Sequence, residues 1–252
     1  LMIPALHNIT VIMAQTKEDC ARFIAIGSRP KDTNVQGNIK FDITIEKELI
    51  TAGAHLKEKL FPNCFVWIVA STHKGEDEIF MDIYKKIKKN IPELALLIVP
   101  RHPERAQQIS RLAKERQLKS VQRSLNEAYS AQTDIYIADT IGELKLLYAA
   151  SDLAFVGGSM VPLGGHNILE PIAIGVPVIF GPFMTNFEEI AKNVLNTQAA
   201  MQCNDSNELL EMVQDLYESP ESRKALVSQG EQFLSVNQGG LERIYEELNK
   251  CL

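Results

Sequence analysis

Apolar runs alternate with amphipathic stretches along almost the whole chain. The apolar runs predict strands at Ile9–Met13, around Val35, and at Phe65–Val69, Leu94–Val99, Ile135–Ala138, Leu153–Val156, Val176–Phe180 and Ala199–Cys203. The amphipathic stretches predict helices at Lys17–Gly27, Glu46–Leu60, Glu76–Asn90, Glu104–Gln117 and Gly142–Ala150, a further helix that opens at His166–Asn167, and a mostly helical region from Asn207 onward, interrupted at Pro220 and Gly239.

The predicted strands are apolar on both faces, which is typical of a parallel sheet covered by helices on both sides. The pattern therefore predicts an α/β fold with a doubly wound, Rossmann-like parallel sheet. No repeat or Pro/Ser-rich linker interrupts it, so we expect one domain over residues 1–252, with C-terminal helices from about residue 207 to 252. Ligands of such sheets bind beyond the carboxyl ends of the strands, and polar loops follow those ends here.

Charge and composition exclude several classes of protein. The net charge is −6 and no basic stripe is present, which disfavours a nucleic-acid partner. The longest apolar runs are far shorter than the ~20 residues that span a bilayer, so we expect these residues themselves to be soluble. Cys20, Cys64, Cys203 and Cys251 follow no metal-binding or disulfide spacing. Because the chain opens on Leu1, just before a predicted strand, we interpret it as a fragment of a longer protein.

The segment Asp152–Pro171 carries the clearest functional signal. A buried strand leads into Gly157-Gly158 and Gly164-Gly165, which allow positive φ and close approach of a ligand. Asn167 is expected to cap the following helix, whose N-terminus favours an anion. Glu170 lies one turn further, where its carboxylate could accept from ribose hydroxyls. The arrangement suggests a nucleotide-sugar site.

Other strand-end loops add candidate ligand groups. Arg101, followed by His102, offers a planar fork that matches phosphate, although a surface arginine before a helix is the alternative interpretation. Ser71, Thr72 and His73 offer small donors, or else simple capping of the next helix.

The loop Asp139–Leu144 has a second candidate role. Thr140 with Glu143 fits a capping box at a helix start. Backbone groups of Ile141 and Gly142 could still read the edge of a base, and a side chain at Gly142 would block it. In the helix after Asn167, Ile168 and Leu169 face either the core or the plane of a base.

Missing motifs narrow the ligand further. No strand is followed by GxGxxG, and neither GxxxxGK[ST] nor DxD occurs. We therefore expect no nicotinamide or flavin cofactor, no P-loop and no metal, and a donor with a single phosphate would need none.

Six motifs in order resemble the 3-deoxy-D-manno-octulosonic acid (Kdo) transferases of lipopolysaccharide synthesis. They are GNIKFD, STHKGE, PRHPER, DTIGEL, GGSMVPLGGHNILEP and GPFMTNF. The resemblance implies a GT-B glycosyltransferase, of which this chain looks like the C-terminal, donor-binding half. It implies CMP-Kdo contacts at Pro100, Arg101, Ile141, Gly142, Glu143, Asn167, Ile168, Leu169 and Glu170. Lys40, Ser71, Thr72, His73 and Ser159 are possible additional donor contacts.

The same resemblance implies transfer of Kdo from CMP-Kdo to the lipid A precursor, lipid IVA, at the cytoplasmic face of the bacterial inner membrane. The family's general base is a glutamate of the N-terminal acceptor domain, in a glycine-rich context that this sequence lacks. We therefore expect no catalytic residue in this chain, which alone would bind nucleotide without transferring sugar. The lipid and membrane contacts are expected in that domain too.

Two alternatives stay open. One is another GT-B enzyme, either a UDP-sugar transferase or a sugar-nucleotide 2-epimerase. The other is a non-catalytic nucleotide-binding domain.

A further choice concerns the apolar stripe of Leu241, Ile244, Tyr245 and Leu248. In the resembling folds the last helix crosses toward the N-terminal domain, whereas packing on its own domain is equally compatible with the spacing.

Overall fold

The computed structural model describes residues 2–251, which divide into two compact units. We call residues 45–231 the sheet unit, and residues 2–44 with 232–251 the terminal unit. The strands are β1 (Ile12–Ala14), β2 (Thr33–Val35), β3 (Phe65–Thr72), β4 (Leu94–Pro100), β5 (Ser120–Gln122), β6 (Ile135–Ile137), β7 (Leu153–Val156), β8 (Val178–Phe180) and β9 (Met201–Gln202). The helices are α1 (Met2–His7), α2 (Lys17–Ala25), α3 (Lys47–Leu60), α4 (Glu76–Ile87), α5 (Ala106–Glu115), α6 (Leu144–Ala149), α7 (Leu169–Ile174), α8 (Glu188–Asn196), α9 (Ser206–Glu218), α10 (Pro220–Asn237) and α11 (Gly240–Cys251).

The sheet unit contains a seven-stranded parallel sheet with the strand order β5-β6-β4-β3-β7-β8-β9. The predicted doubly wound α/β fold is thereby confirmed. The chain builds outward from β3 in one direction and then returns to its other side with β7. Ligands of such sheets bind where the strand order reverses, outside the carboxyl ends of the strands. In this sheet that point lies between β3 and β7.

Successive residues of the central strands enter opposite halves of the core. Trp67 of β3 packs on one face, where its ring meets Phe80 of α4 edge-on at 6.0 Å between centroids. Its neighbour Ile68 lies on the other face, in the cluster that includes Leu147 of α6. Both faces are dry because helices cover them, which explains why the strands read as unbroken apolar runs.

The terminal unit has its own short parallel pair, in which Ile12 of β1 lies opposite Thr33 of β2. The Asp42 carboxylate accepts from the amides of Gly239 and Leu241 at 2.5 and 2.7 Å, at the start of α11. Arg243 of α11 donates to the Gln36 carbonyl at 2.9 Å. The last helix therefore packs with the N-terminal segment.

The apolar stripe of α11 is open to solvent in the structure. Leu241, Tyr245 and Leu248 are 60%, 66% and 45% exposed. This exposure and the contacts of α11 favour the interpretation that the last helix leaves the domain of the large sheet. None of the helices within residues 2–251 is both long and apolar enough to cross a membrane.

The structure differs from the sequence-based predictions at several points. Two compact units replace the single domain expected over residues 1–252, of which Leu1 and Leu252 lie outside the described residues. The predictions did not include α1, β5 and α8. β5, with the sequence SVQ, is a short strand at the sheet edge and has no apolar run. Cys20, Cys64 and Cys203 are free thiols, and the Cys251 side chain lies outside what the structure describes.

Candidate functional site

The loops after β3, β4 and β7 meet at the carboxyl edge of the sheet. The backbone amide of Arg101, just after β4, donates to the carbonyl of Thr72 at the end of β3 at 3.0 Å. The amide of Gly157, just after β7, donates to the Ala70 carbonyl of β3 at 2.7 Å. The sequence-predicted loops are thus joined by backbone bonds at the point where ligands of this fold bind.

Arg101 is exposed, and its guanidinium makes no hydrogen bond or ion pair within residues 2–251. Its neighbour Arg105 is committed to the fold. That side chain pairs with the buried Asp77 and donates to the Thr72 carbonyl at 2.8 Å. Arg101 is therefore the arginine of this loop that is available to an anionic ligand, as predicted from its position. Pro100 is buried as the last residue of β4.

Glu76, the first residue of α4, joins the loop after β3 to the glycine-rich loop after β7. Its fully buried carboxylate accepts four amide N–H groups, from His73 at 2.9 Å, Gly158 at 2.8 Å, Ser159 at 3.1 Å and Met160 at 2.9 Å. Burial raises the pKa of Glu76, and the four amides oppose that rise. The sequence analysis missed this role. From sequence alone, a glutamate at the first position of a helix indicates only a favourable interaction with the helix dipole.

Glycine is required where the two loops approach each other. A Cβ on Gly157 would lie 2.7 Å from the Ser71 carbonyl oxygen and 2.9 Å from that of Ala70. Gly158, Gly164 and Gly165 have positive φ as predicted, whereas Gly157 does not. Ser71 itself has φ +57°, at a register shift in the pairing of β3 with β4. The β3 end is therefore shaped by close backbone contact with the glycine-rich loop.

Two histidines from these loops contact each other. The Nε2 atoms of His73 and His166 are 2.8 Å apart, and their rings are nearly parallel with centroids 5.1 Å apart. Both side chains are partly buried. His73 was a predicted candidate, but His166 was treated only as the opening of a helix. Sequence reasoning could not pair them because 93 residues separate them.

The loop after β6 contains an ion pair that alters its predicted role. Arg123 donates to both carboxylate oxygens of Glu143, at 2.7 and 2.6 Å. Thr140 donates its hydroxyl to the same carboxylate. The capping-box prediction is therefore wrong, since Thr140 caps no backbone amide and α6 begins at Leu144. The arginine holds the pKa of Glu143 down to about 2.

The predicted base-reading positions remain open to solvent. Ile141 is 88% exposed, and nothing lies within 4 Å of a Cβ built on Gly142. Because the Glu143 carboxylate is bonded to Arg123, a ligand here would meet the backbone of the loop.

The helix after the glycine-rich loop starts later than predicted. α7 begins at Leu169, and its N-cap residue is Ile168, which makes no side-chain cap bond, so the prediction of Asn167 as the cap is wrong. Asn167 lies one residue earlier and accepts from the Leu169 amide at 3.1 Å. The side-chain NH₂ group of Asn167 also donates to the Glu170 carboxylate at 3.4 Å. Ile168 and Leu169 are fully buried, so they face the core. Asn167 and Glu170 are only partly buried and form one polar cluster.

Two of the predicted donor contacts make hydrogen bonds within the protein, and a third belongs to the terminal unit. The buried Ser159 hydroxyl donates to the Val156 carbonyl at 2.5 Å and accepts from the Gly181 amide at 2.8 Å, which makes it a link between two loops. The buried Thr72 hydroxyl donates to Asp77 at 2.7 Å. Lys40 belongs to the terminal unit. Within residues 2–251, no group of three His, Cys, Asp or Glu side chains could hold a metal ion.

Comparison with known proteins identifies the family. Residues 70–233 match the family model described as glycosyl transferases group 1. The chain belongs to this family. Residues 1–43 also match the model described as 3-deoxy-D-manno-octulosonic-acid transferase (kdotransferase). The N-terminal segment of the terminal unit thus matches a Kdo transferase model separate from that of residues 70–233. The prediction of one donor-binding domain over residues 1–252 did not include this second match.

Two curated relatives carry the name of the second family model. The chain is 38% identical over 246 residues to a 3-deoxy-D-manno-octulosonic acid transferase of Haemophilus influenzae, covering 97% of this chain and 58% of the relative. It is 35% identical to the enzyme of that name from Rickettsia bellii, covering 86% of this chain and 51% of the relative. The resemblance to Kdo transferases is confirmed. The chain spans little more than half the length of these relatives.

A solved structure also matches most of this chain. The C-terminal CMP-Kdo binding domain of WaaA from Acinetobacter baumannii has a TM-score of 0.71 and 32% identity to this glycosyltransferase. The match covers 75% of this chain and 99% of that domain. The predicted likeness to the C-terminal half of a GT-B glycosyltransferase is thereby confirmed.

Proposed function

We propose that this chain carries the donor-binding site of an enzyme that transfers Kdo from CMP-Kdo to a lipid A precursor, lipid IVA. The observation that carries the proposal is the likeness to the C-terminal CMP-Kdo binding domain of WaaA, which is matched over 99% of its length. The acceptor and the location at the cytoplasmic face of the bacterial inner membrane are part of the proposal. They are supported by the relatives named as Kdo transferases.

The geometry suits a nucleotide with one phosphate. Arg101 is exposed at the ligand-binding edge and can donate two parallel hydrogen bonds to a phosphoryl group. The open backbone at Ile141 and Gly142 can meet the cytosine edge. Asn167 and Glu170, which lie together after the glycine-rich loop, can meet the ribose hydroxyls.

In the proposed reaction, the acceptor hydroxyl attacks the anomeric carbon of Kdo, and CMP leaves with the bonding electron pair. A general base takes the hydroxyl proton, and we place that base outside this chain. The donor site acts by binding the leaving nucleotide. We propose that neither a metal nor a cofactor takes part, since a single phosphate can be neutralised by Arg101 and backbone amides.

Calorimetric titration of the full-length protein with CMP and with UMP tests this assignment. CMP should bind more tightly than UMP, and Arg101→Ala should weaken CMP binding about tenfold, since one charge-assisted hydrogen bond contributes roughly 1.5–3 kcal/mol. Arg111→Ala, an exposed arginine on α5, serves as the matched control and should leave the affinity unchanged. A preference for UMP, or equal affinity of the two arginine variants, would contradict the proposal.

A further inference from the structure

Three histidines from three loops lie together at the carboxyl edge of the sheet. Beyond the pair formed by His73 and His166, the ring of His102 meets that of His73 edge-on, with centroids 6.0 Å apart and an angle of 80°. The loops follow β4, β3 and β7. Since β3 and β7 flank the point where the strand order reverses, the pair lies where a doubly wound sheet binds its ligand.

The contact between the two Nε2 atoms limits how the pair can be protonated. A neutral imidazole has one N–H and one nitrogen with a lone pair. At 2.8 Å, one Nε2 of the pair donates a hydrogen bond and the other accepts it. A proton on both Nε2 atoms would turn this hydrogen bond into a repulsive contact. The closed pair therefore holds a single proton between its two facing nitrogens.

The charged groups around the pair are mostly positive. Burial is the largest cause that lowers the pKa of His73, followed by the electrostatic effects of His102, Arg105 and Arg101 in the loop after β4. Burial is the largest cause that lowers the pKa of His166 to about 4, followed by the electrostatic effects of His73, Arg101 and His102.

Within residues 2–251 no carboxylate pairs with the imidazole of His73 or His166, whereas Glu104 lies 3.8 Å from the Nδ1 of His102. Glu76, from the first turn of α4, directs both oxygens to backbone amides, including that of His73. Asp77 is paired with Arg105. The site consequently combines the exposed Arg101 with two imidazoles, those of His73 and His166, whose neutral forms are favoured.

We propose that His73 and His166 form a proton-coupled binding site for the phosphoryl group of the nucleotide donor. On binding, the hydrogen bond between them opens, and the Nε2–H of the donor imidazole turns to a phosphoryl oxygen. The acceptor imidazole keeps its Nδ1 proton and takes a second proton from solvent at Nε2, so it becomes an imidazolium that donates to another phosphoryl oxygen. The ligand class is a phosphodiester anion. This inference rests on the proposed function, because it assigns a recognition role to residues of the same site.

The direction of the pH dependence follows from the charges. An anion beside the pair favours the protonated imidazole, so binding raises the histidine pKa from the low value of the free protein. Protons are taken up at pH values between the free and the bound pKa. The affinity is therefore highest below the bound pKa and falls as the pH rises through it.

The test measures proton uptake directly in the full-length protein. The probe is the methyl phosphodiester of CMP, whose phosphate does not titrate near neutral pH. Titrations at pH 6.5 in two buffers of different ionisation enthalpy give the number of protons bound. We expect the wild-type protein to take up roughly half a proton or more, and its affinity to rise about twofold or more from pH 7.5 to pH 6.5.

Variants then show which histidines are needed for the proton uptake. His166→Gln and His73→Gln should each abolish the uptake, whereas the exposed His55→Gln on α3 should leave it as in the wild type. Binding of the probe by the wild-type protein without proton uptake overturns this inference but leaves the donor site intact. Failure of the wild-type protein to bind either the probe or CMP instead contradicts the proposed function. The wild-type measurement decides even where a variant fails to fold.

Discussion

The Glu76 carboxylate accepts the Gly158 amide at 2.8 Å, although 82 residues separate them in the chain. This bond joins the start of α4 to the loop after β7, across the point where the strand order reverses. Because Glu76 is fully buried, its four amide donors can find no replacement in water. The shape of the candidate site therefore depends on a residue that need not touch the ligand.

Glu76→Gln tests this dependence. An amide offers one acceptor oxygen in place of two and directs an NH₂ group at backbone N–H donors, so buried donors are left unpaired. We expect the free energy of unfolding to fall by about 3 kcal/mol in urea titrations. Glu58→Gln, an exposed glutamate on α3, is the control and should change it by less than about 0.5 kcal/mol. Equal effects of the two variants would refute the role of Glu76.

Gly157→Ala and Gly142→Ala should separate steric contact from ligand access. At Gly157 the added methyl meets two backbone carbonyl oxygens under 3.0 Å, so the strand end must move, and we expect a loss of more than about 2 kcal/mol in stability. At Gly142 the methyl meets nothing, and only its φ of +87° opposes it, at about 1 kcal/mol.

The two glycine variants should differ in binding as well. Gly142→Ala is expected to retain the fold, seen by circular dichroism, and to weaken CMP binding because the methyl projects from the open loop. Retention of full CMP affinity in Gly142→Ala would argue against base recognition at this loop.

Ser159→Ala should act on the fold and not on the ligand. Removing the hydroxyl leaves the buried Gly181 amide without its acceptor, which we expect to lower the free energy of unfolding by about 1–3 kcal/mol. The affinity for CMP per folded molecule should stay within about twofold, since the side chain is fully buried. Ser228→Ala on α10, where the serine is exposed, is the control. A large loss of affinity with unchanged stability would restore Ser159 as a ligand contact.

The Arg123–Glu143 pair should make stability depend on acid pH. The pKa of Glu143 is lowered to about 2 by its partner, below its usual value near 4.5. Its contribution is therefore complete above the unfolded pKa and is lost as the pH falls from about 5 toward 2. Unfolding experiments across that range should show a smaller loss of stability in Glu143→Gln than in the wild type.

Because the Arg123–Glu143 pair is partly exposed, we expect the loss of stability in the two proteins to differ by only about 1 kcal/mol. Glu104→Gln is the control because Glu104 is largely exposed and the nitrogen that faces it, Nδ1 of His102, is 3.8 Å away. Identical pH profiles of wild type and Glu143→Gln would contradict the argument.

The sequence by itself determined the sheet and the loops that follow its strands. Runs such as Phe65–Val69 can be buried only between two layers of helices, so the parallel sheet and the side on which Arg101 lies followed from pattern alone. The site motifs were visible because a ligand-facing loop needs particular residue types at fixed offsets from a strand end.

The tertiary structure was needed to distinguish polar side chains that are open at the candidate site from those that are hydrogen-bonded inside the protein. Ser159, Glu143 and Glu76 are all polar residues near strand ends, and sequence spacing cannot tell a buried hydrogen bond from an open one. The His73–His166 contact likewise depends on β3 and β7 lying side by side. Such pairings join residues far apart in the chain, and their energies arise from burial that exists only once the sheet has assembled.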